Sequence, residues 1–522
     1  MIKLIGILGK FLPNGWTRIL DQERVNYQYI TELTNLNQLG VIIIARGLQS
    51  QEASIIRNYL TNGGRVLTDF IRLKTLLSDF HYSPTKFRYI IPTLRSPLFL
   101  NVNSIDIGQQ GLAVNDERPN LYSQTYGKGK IIALPFSLDL AFSNTRTQPK
   151  FFYYPSKTKL PYEQVACVSR GELRRLVVNC LRQLLFEQGC YYVHLWYYPN
   201  RFNTCFTFRV DTDFSPFPEI GSVLKLAEEN KLSFTWFINT RAQAKDLAKF
   251  SSWQRSGQDI QLHCFQHNVF PDYARNYANL SRGKDALWAV GIKPIGFAGP
   301  FGEWNENLAS GLEALDFKYS SEFGLGYDDL PFYPVVKGKK SNVLQIPIHP
   351  ICVGRLLQAG FNFNEIFLYF KHYINSHYAM REPIMIYDHP HRINQMLQLF
   401  DTLFKWIKSM KDIWLTNFTQ FMEWWKQRES VNYDTIIQNG QIEISTKDED
   451  KTFFLHIIRP SGDETFIPLR NGSYSLDQLT WTKPPQPIIL ADGIERIRKG
   501  ELMLRIKELV NTWHRRLKGQ RH

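Results

Sequence analysis

Two carboxylates end the stretch 205–213, which reads CFTFRVDTD. Phe206, Phe208 and Val210 alternate with smaller or polar residues, the pattern of a strand half-buried in a sheet. Asp211 and Asp213 stand at its carboxyl end, with Pro216 and Pro218 closing the loop behind them. Such charges cost free energy unless something pairs with them; a solvated turn capping the next helix is the plain alternative. A second constellation follows in His263-Cys264-Phe265-Gln266-His267. Histidines at i and i+4 on one helical turn bring both rings to one point, as a divalent cation requires, although surface helices carry the same spacing by coincidence. Two His and one Asp make a three-ligand open site with a position left for water or substrate.

The elements that must hold these residues repeat along 201–428. Apolar runs at 205–210, 233–238, 258–262, 294–298, 317–320, 343–348 and 383–387 each end in a polar residue or a turn, and helical stretches separate them. Seven strand-helix units in series predict a closed or nearly closed parallel barrel, because every crossover has the same hand. Chemistry in such barrels sits at the carboxyl ends of the strands, so Asp211, Asp213, His263, His349, Asp388 and His389 are expected around one crater. A terminal amphipathic helix at 414–428 closes the domain.

At 522 residues the chain exceeds what one core supports, and 43 % apolar residues are ample for several. Residues 1–150 read as a flavodoxin-like α/β domain: a buried strand at 39–45, a helix over 50–60 ended by Asn62-Gly63-Gly64, and strands at 65–69 and 128–135. A connector spans 151–200, with helical spacing over 171–188 and a strand at 191–198. A small β module with turns at Asn439-Gly440 and 460–462 fills 429–483, and a proline-rich linker leads to a basic amphipathic helix at 494–522. That helix face suits solvent or an anionic partner. The cysteines at 167, 180, 190, 205, 264 and 352 form no CxxC pair, which argues for a reducing compartment and against a structural zinc knot. The apolar start MIKLIGIL lacks a small-residue cleavage site and no run of about 18 apolar residues exists, so a cytoplasmic protein without a membrane span is expected. A net charge of +14 favours anionic polymers or surfaces but makes no strong case for nucleic acid; oligomeric state is not legible.

These motifs, in this order, resemble the polysaccharide deacetylase (NodB-homology) family of carbohydrate esterases over about 225 residues. The resemblance implies a distorted (β/α)7 barrel with an Asp-His-His metal site and acid/base catalysis. Asp211 matches the family's catalytic base, in a DxD variant of its paired aspartates. Asp213, His263 and His267 match the metal ligands, with Cys264 replacing a hydroxyl residue. In 298–302, AGPFG, the family's arginine is replaced by Ala298; His389 in 386–389, IYDH, matches the general acid. Arg209, on the same strand face as Asp211, can supply the lost cation from another position. Phe301 and Trp304 beside Pro300 are candidate sugar-stacking walls, His349 and His391 candidate substrate contacts, and Glu322, Asp328 or Asp329 a candidate orienting acid. The implied reaction is deacetylation of an N-acetylated amino sugar with a divalent metal, for which ligand softness favours zinc. Alternatives are a degenerate glycan-binding protein and an amidase acting on a non-sugar amide. More weakly, the 30 residues around the 39–69 strands resemble amidotransferase-like domains. That segment lacks the Cys a glutaminase needs, so a non-catalytic role follows.

Overall fold

The computed structural model describes residues 4–9, 14–93, 96–114, 118–152, 160–485 and 510. All but Val510 of the expected basic helix at 494–522, and the end of the proline-rich linker, lie outside the described residues.

The chain forms two compact units. The first combines residues 1–144, 168–201 and 426–491. Its main sheet has six strands in the order Tyr27–Tyr29, Leu4–Leu8, Leu39–Ile44, Arg65–Asp69, Gly129–Leu134, Tyr122–Tyr126. All pairs described are parallel except the last, which is antiparallel. The run LGVIII is buried throughout, as a strand covered on both faces must be. Asn439 and Gly440 take φ +51° and +73°, the two left-handed residues that a tight hairpin between Tyr433–Gln438 and Gln441–Thr446 demands. The strand Tyr192–Leu195 pairs antiparallel with Phe454–Ile458 of the same unit. Buried Arg428 donates to the carbonyls of Gln22, Glu23, Leu195 and Trp196, so its guanidinium is spent on backbone acceptors.

The second unit holds residues 145–167 and 202–425. Its sheet is a curled set of parallel strands: β1 (Thr204–Asp211), β2 (Thr235–Asn239), β3 (Asp259–Cys264), β4 (Gly296–Phe297), β5 (Tyr319–Ser320), β6 (Leu344–Gln345) and β7 (Ile384–Asp388). They pair in the order β6-β5-β4-β3-β2-β1-β7, the seven runs read from the sequence. The His349 amide donates to the Met385 carbonyl at 2.9 Å, bringing the segment after β6 to β7 and nearly closing the ring. Within the barrel sheet itself one strand was not foreseen: Ile413–Leu415 pairs parallel with β1, and the terminal helix starts only at Phe418.

All eight residues of β1 are buried. Phe206, Phe208 and Val210 join the large apolar cluster under the surrounding helices, with Phe234, Phe400 and Phe404 packed around Phe208. The alternate residues Thr207, Arg209 and Asp211 therefore face the ring interior. Thr212 ends the strand by turning its N–H and hydroxyl to the Phe237 carbonyl, and the helix Phe217–Glu229 begins behind Pro216.

Candidate active site

Asp213 sits immediately beyond β1 at φ +42°, a left-handed conformation that Asp tolerates better than most residues. There its Oδ1 lies 3.1 Å from His263 Nε2 and 2.9 Å from His267 Nε2. The two histidine Nε2 atoms are themselves 3.1 Å apart. The pair is not on a helix as the i, i+4 spacing suggested. His263 belongs to β3, and His267 follows in a loop pinned by Asn279, which accepts from the Gln266 amide and donates to its carbonyl. The rings converge because the strand ends between them.

The chemistry of these donors fits a cation. His263 Nδ1 is 2.7 Å from the Ala298 carbonyl, which can only accept, so the ring proton is on Nδ1 and Nε2 offers a lone pair. A carboxylate oxygen and two ring nitrogens then crowd one point. Separations of 2.9–3.1 Å are short enough for the three atoms to be ligands of one ion. Burial pushes the Asp213 carboxyl up, but the neighbouring His389 and His267 outweigh it and hold it well below the usual carboxylate range.

Asp211, two residues earlier, points to Arg209. Arg209 Nε donates to Oδ1 at 2.7 Å and Nη2 to Oδ2 at 2.6 Å, a bidentate pair that is almost wholly buried. Nη1 donates to the Ser321 carbonyl at 2.7 Å, and the guanidinium lies between the Phe237 and Tyr387 rings. Burial alone would lower the Arg209 pKa; Asp211 reverses that and raises it. Across the cleft, His389 Nε2 is 3.5 Å from Asp213 Oδ2. Burial pulls its imidazole down, yet the Asp213 charge and contacts with Asp388 and Cys352 lift it well above the ordinary histidine value.

An open cleft of about 560 Å³ joins these groups. Asp211, Asp213, His263, His267, Phe301, His389 and His391 line it. Three expected substrate contacts are not on its wall. Pro300 is buried beneath Phe301, and Trp304 is buried in a small cluster with Leu325 and Phe332. His349 is buried against Asp328, 3.1 Å from Nδ1, and Tyr369, 3.0 Å from Nε2. Each has the right chemical type near a strand end, but neighbouring loops turn its side chain into the interior.

Of the three acids considered as orienting groups, none reaches His389. Asp328 is engaged by His349, Asp329 accepts from the Leu330 amide, and Glu322 accepts from the Gly299 amide at 3.0 Å. The carboxylate beside His389 Nδ1 is Asp388, at 3.7 Å. Sequence reasoning also missed Glu163 and Arg355, a bidentate pair at 2.6 Å in the cleft wall, and exposed Phe214, which packs on His267. Glu163 comes from the hairpin Thr147–Phe151/Tyr162–Ala166, in a stretch read only as connector. The doublet of an acid in one strand and an arginine 192 residues later has no local signature.

Glu322 carries a pH-dependent expectation. It is fully buried, Oε2 has no hydrogen-bond partner, and burial pushes its carboxyl from 4.5 up to about 7. The folded state thus binds this proton more tightly than the unfolded chain. The resulting stability is complete below pH 4.5 and is lost as pH rises through about 7. The loss is on the order of 3 kcal/mol. Glu322→Gln, a neutral mimic of the acid, is expected to flatten that part of the curve. Denaturant unfolding of both proteins from pH 4 to 8 checks it; equal slopes contradict it.

The family model for polysaccharide deacetylase matches residues 216–320. No curated protein matches the chain. Among solved structures, a protein assigned to the polysaccharide deacetylases from Mycobacterium smegmatis is 16 % identical, covers 45 % of this chain and 94 % of its own, and superposes with a TM-score of 0.40. Puue allantoinase gives 16 % identity, 44 % and 93 % coverage and a TM-score of 0.39. The peptidoglycan deacetylase PdaC from Bacillus subtilis gives 14 %, 44 %, 94 % and 0.31. The matched segment holds His263, His267 and the 298–302 loop, while Asp211, Asp213 and His389 flank it in sequence. Over residues 216–320 the central domain carries the sequence pattern of the polysaccharide deacetylase family.

Proposed function

We propose that the central domain is a divalent-metal-dependent amide hydrolase that removes acetyl groups from an N-acetylated amino sugar in a polysaccharide or its precursor. The observation that carries this reading is the convergence of a three-ligand set, Asp213, His263 and His267, with Asp211 and His389 at one open cleft. When bound, a cation of the zinc class would supply a Lewis acid that polarises the amide carbonyl and acidifies a water. Asp211, held by Arg209, is placed to take the proton of that water. His389, whose Nε2 lies 3.5 Å from Asp213, would protonate the departing amine. Arg209 acts through Asp211 and is a positioning residue.

The rim supports a sugar. Phe301, 40 % exposed, and Phe214, 66 % exposed, pack on His267 at 4.9 and 5.2 Å between ring centroids. Phe301 is held at φ +58°, a conformation costly for an aromatic residue and maintained by the Gly302 amide donating to Gly299 and the Glu303 amide to Pro300. Two exposed aromatic faces beside a ligand histidine suit the apolar faces of pyranose rings.

The test is acetate release from N-acetylglucosamine oligomers. Release abolished by a chelator and restored by one equivalent of zinc is the expected result. Metal-dependent oligomer binding without acetate would instead identify a glycan-binding protein, and release only from non-sugar amides would identify an amidase.

A further inference from the structure

The ring of His389 has two sides, and only one has been used. Its Nε2 faces Asp213, whereas Nδ1 lies 3.7 Å from Asp388 Oδ1. Cys352 completes the second side. Its Sγ, a ring nitrogen of His389 and a carboxylate oxygen of Asp388 all lie within 4.8 Å of one another. This trio shares none of its members with the Asp213-His263-His267 set.

The trio is held in place by the backbone. Asp388 is fully buried and its two oxygens accept from main-chain amides, Oδ1 from His389 at 2.9 Å and Oδ2 from Val353 at 2.8 Å. The second of these bonds ties the peptide that follows Cys352 directly to the carboxylate. Pro390 fixes the backbone after His389 at the start of the helix Pro390–Gln395. Thiol, imidazole and carboxylate are thus positioned by β7 and by the loop before the helix Val353–Gln358, with little freedom left to organise. There is also a path inward, since Cys352 and His389 both line the cleft. Of the six cysteines, all free and buried, only Cys352 does so.

We infer that Cys352, His389 and Asp388 form a second cation site, selective for thiophilic divalent ions, which shares His389 with the reaction centre and suppresses turnover when filled. Sulfur, nitrogen and oxygen donors together favour zinc, cobalt or cadmium over magnesium or calcium. Binding takes the Nδ1 lone pair and a thiolate: the thiol gives its proton to solvent, and an imidazolium gives up its Nδ1 proton as well. No electron changes hands. A ring committed through Nδ1 cannot hold two protons, so it cannot act as the imidazolium that protonates an amine. The site has to be weaker than the first, because it must displace a thiol proton while the Asp213 set already presents its lone pairs. The suppression of turnover rests on the deacetylase reading; the binding itself does not.

Cobalt titration of the full-length protein separates the two. The first equivalent is expected to produce visible d–d bands without a thiolate-to-cobalt charge-transfer band, and to support acetate release. Excess cobalt is expected to add that near-ultraviolet band and, in step, to lower acetate release by up to roughly 10²-fold, the contribution of one general acid. Cys352→Ala should bind the first equivalent, never show the band and, whatever its starting rate, lose no further activity as metal is raised to excess; Cys352→Ser, a smaller change in size, guards against loss of packing in the alanine variant. No charge-transfer band in the wild type at any excess, or a band that survives in Cys352→Ala, overturns the site. A band without inhibition overturns the sharing of His389. A band with no acetate release at any metal ratio leaves the cation site standing and removes the deacetylase reading.

Discussion

Asp213→Asn and His267→Ala are each expected to lower divalent-cation affinity by at least roughly 10²-fold, more than the loss of an outer-sphere partner causes, while the protein stays folded. The choice of variants follows from the geometry. Asp213 stands at φ +42°, which Asn tolerates and Ala resists, so Asp213→Ala would mix backbone strain with the loss of a ligand. His263 is a poorer target than His267, since its removal would also leave the buried Ala298 carbonyl without its donor. Replacing His267 leaves no comparable orphan and opens only a gap between Phe214 and Phe301. Elemental analysis and zinc calorimetry on dialysed protein, with circular dichroism as a folding control, give the readout. One tightly held equivalent in either variant would refute the ligand set. The native protein should in turn bind more weakly as pH falls, because the histidines must be neutral to ligate.

How much of this was legible beforehand depends on how local the signal is. β1 could be read because its alternation and its terminal aspartates lie within nine residues, and the other six barrel strands because each apolar run stops at a polar or turn residue. Ile413–Leu415 was lost because three residues are too few to show a period, and Trp414 also suits the helix that follows. The histidine pair was assigned to a helix because spacing i, i+4 is shared by a helical turn and by a strand end with a returning loop; only the hydrogen bonds of Asn279 distinguish them. Which way a side chain turns at a strand end is set by partners distant in sequence. His349 turns to Asp328 and Tyr369, whereas His389 turns into the cleft, and nothing in IPIHP or IYDHP separates the two. Glu163, Arg355 and Cys352 were missed for the same reason: their contacts are non-local and their own neighbourhoods carry no pattern.

Arg209→Met is expected to remove most turnover, by roughly 10² to 10⁴-fold, and to destabilise the central domain by about 3–5 kcal/mol with metal content unchanged. Arg209 grips both oxygens of Asp211 from within β1, and in the proposed reading it supplies the charge that the resemblance expects at position 298, where this chain has Ala. Removing the guanidinium from between Phe237 and Tyr387 leaves the buried Asp211 carboxylate without its counter-ion and without the fork that holds its two oxygens. Arg209→Lys keeps the charge but not the planar fork, and should fall between Met and wild type. The stability loss should shrink in Arg209→Met/Asp211→Asn, where no charge is left uncompensated, although turnover stays lost; that contrast separates a cation needed for the fold from one needed to hold the base in position. Adding Ala298→Arg to Arg209→Met gives the arrangement that the resemblance implies and should recover part of the activity, limited by how far the fully buried Ala298 position admits a long side chain. The proposed ligands Asp213, His263 and His267 make no direct contact with the guanidinium, so one equivalent of metal should remain in every one of these proteins. Wild-type turnover of Arg209→Met at every pH would show that Asp211 does not depend on this arginine, and would leave the base to be sought elsewhere on the cleft wall.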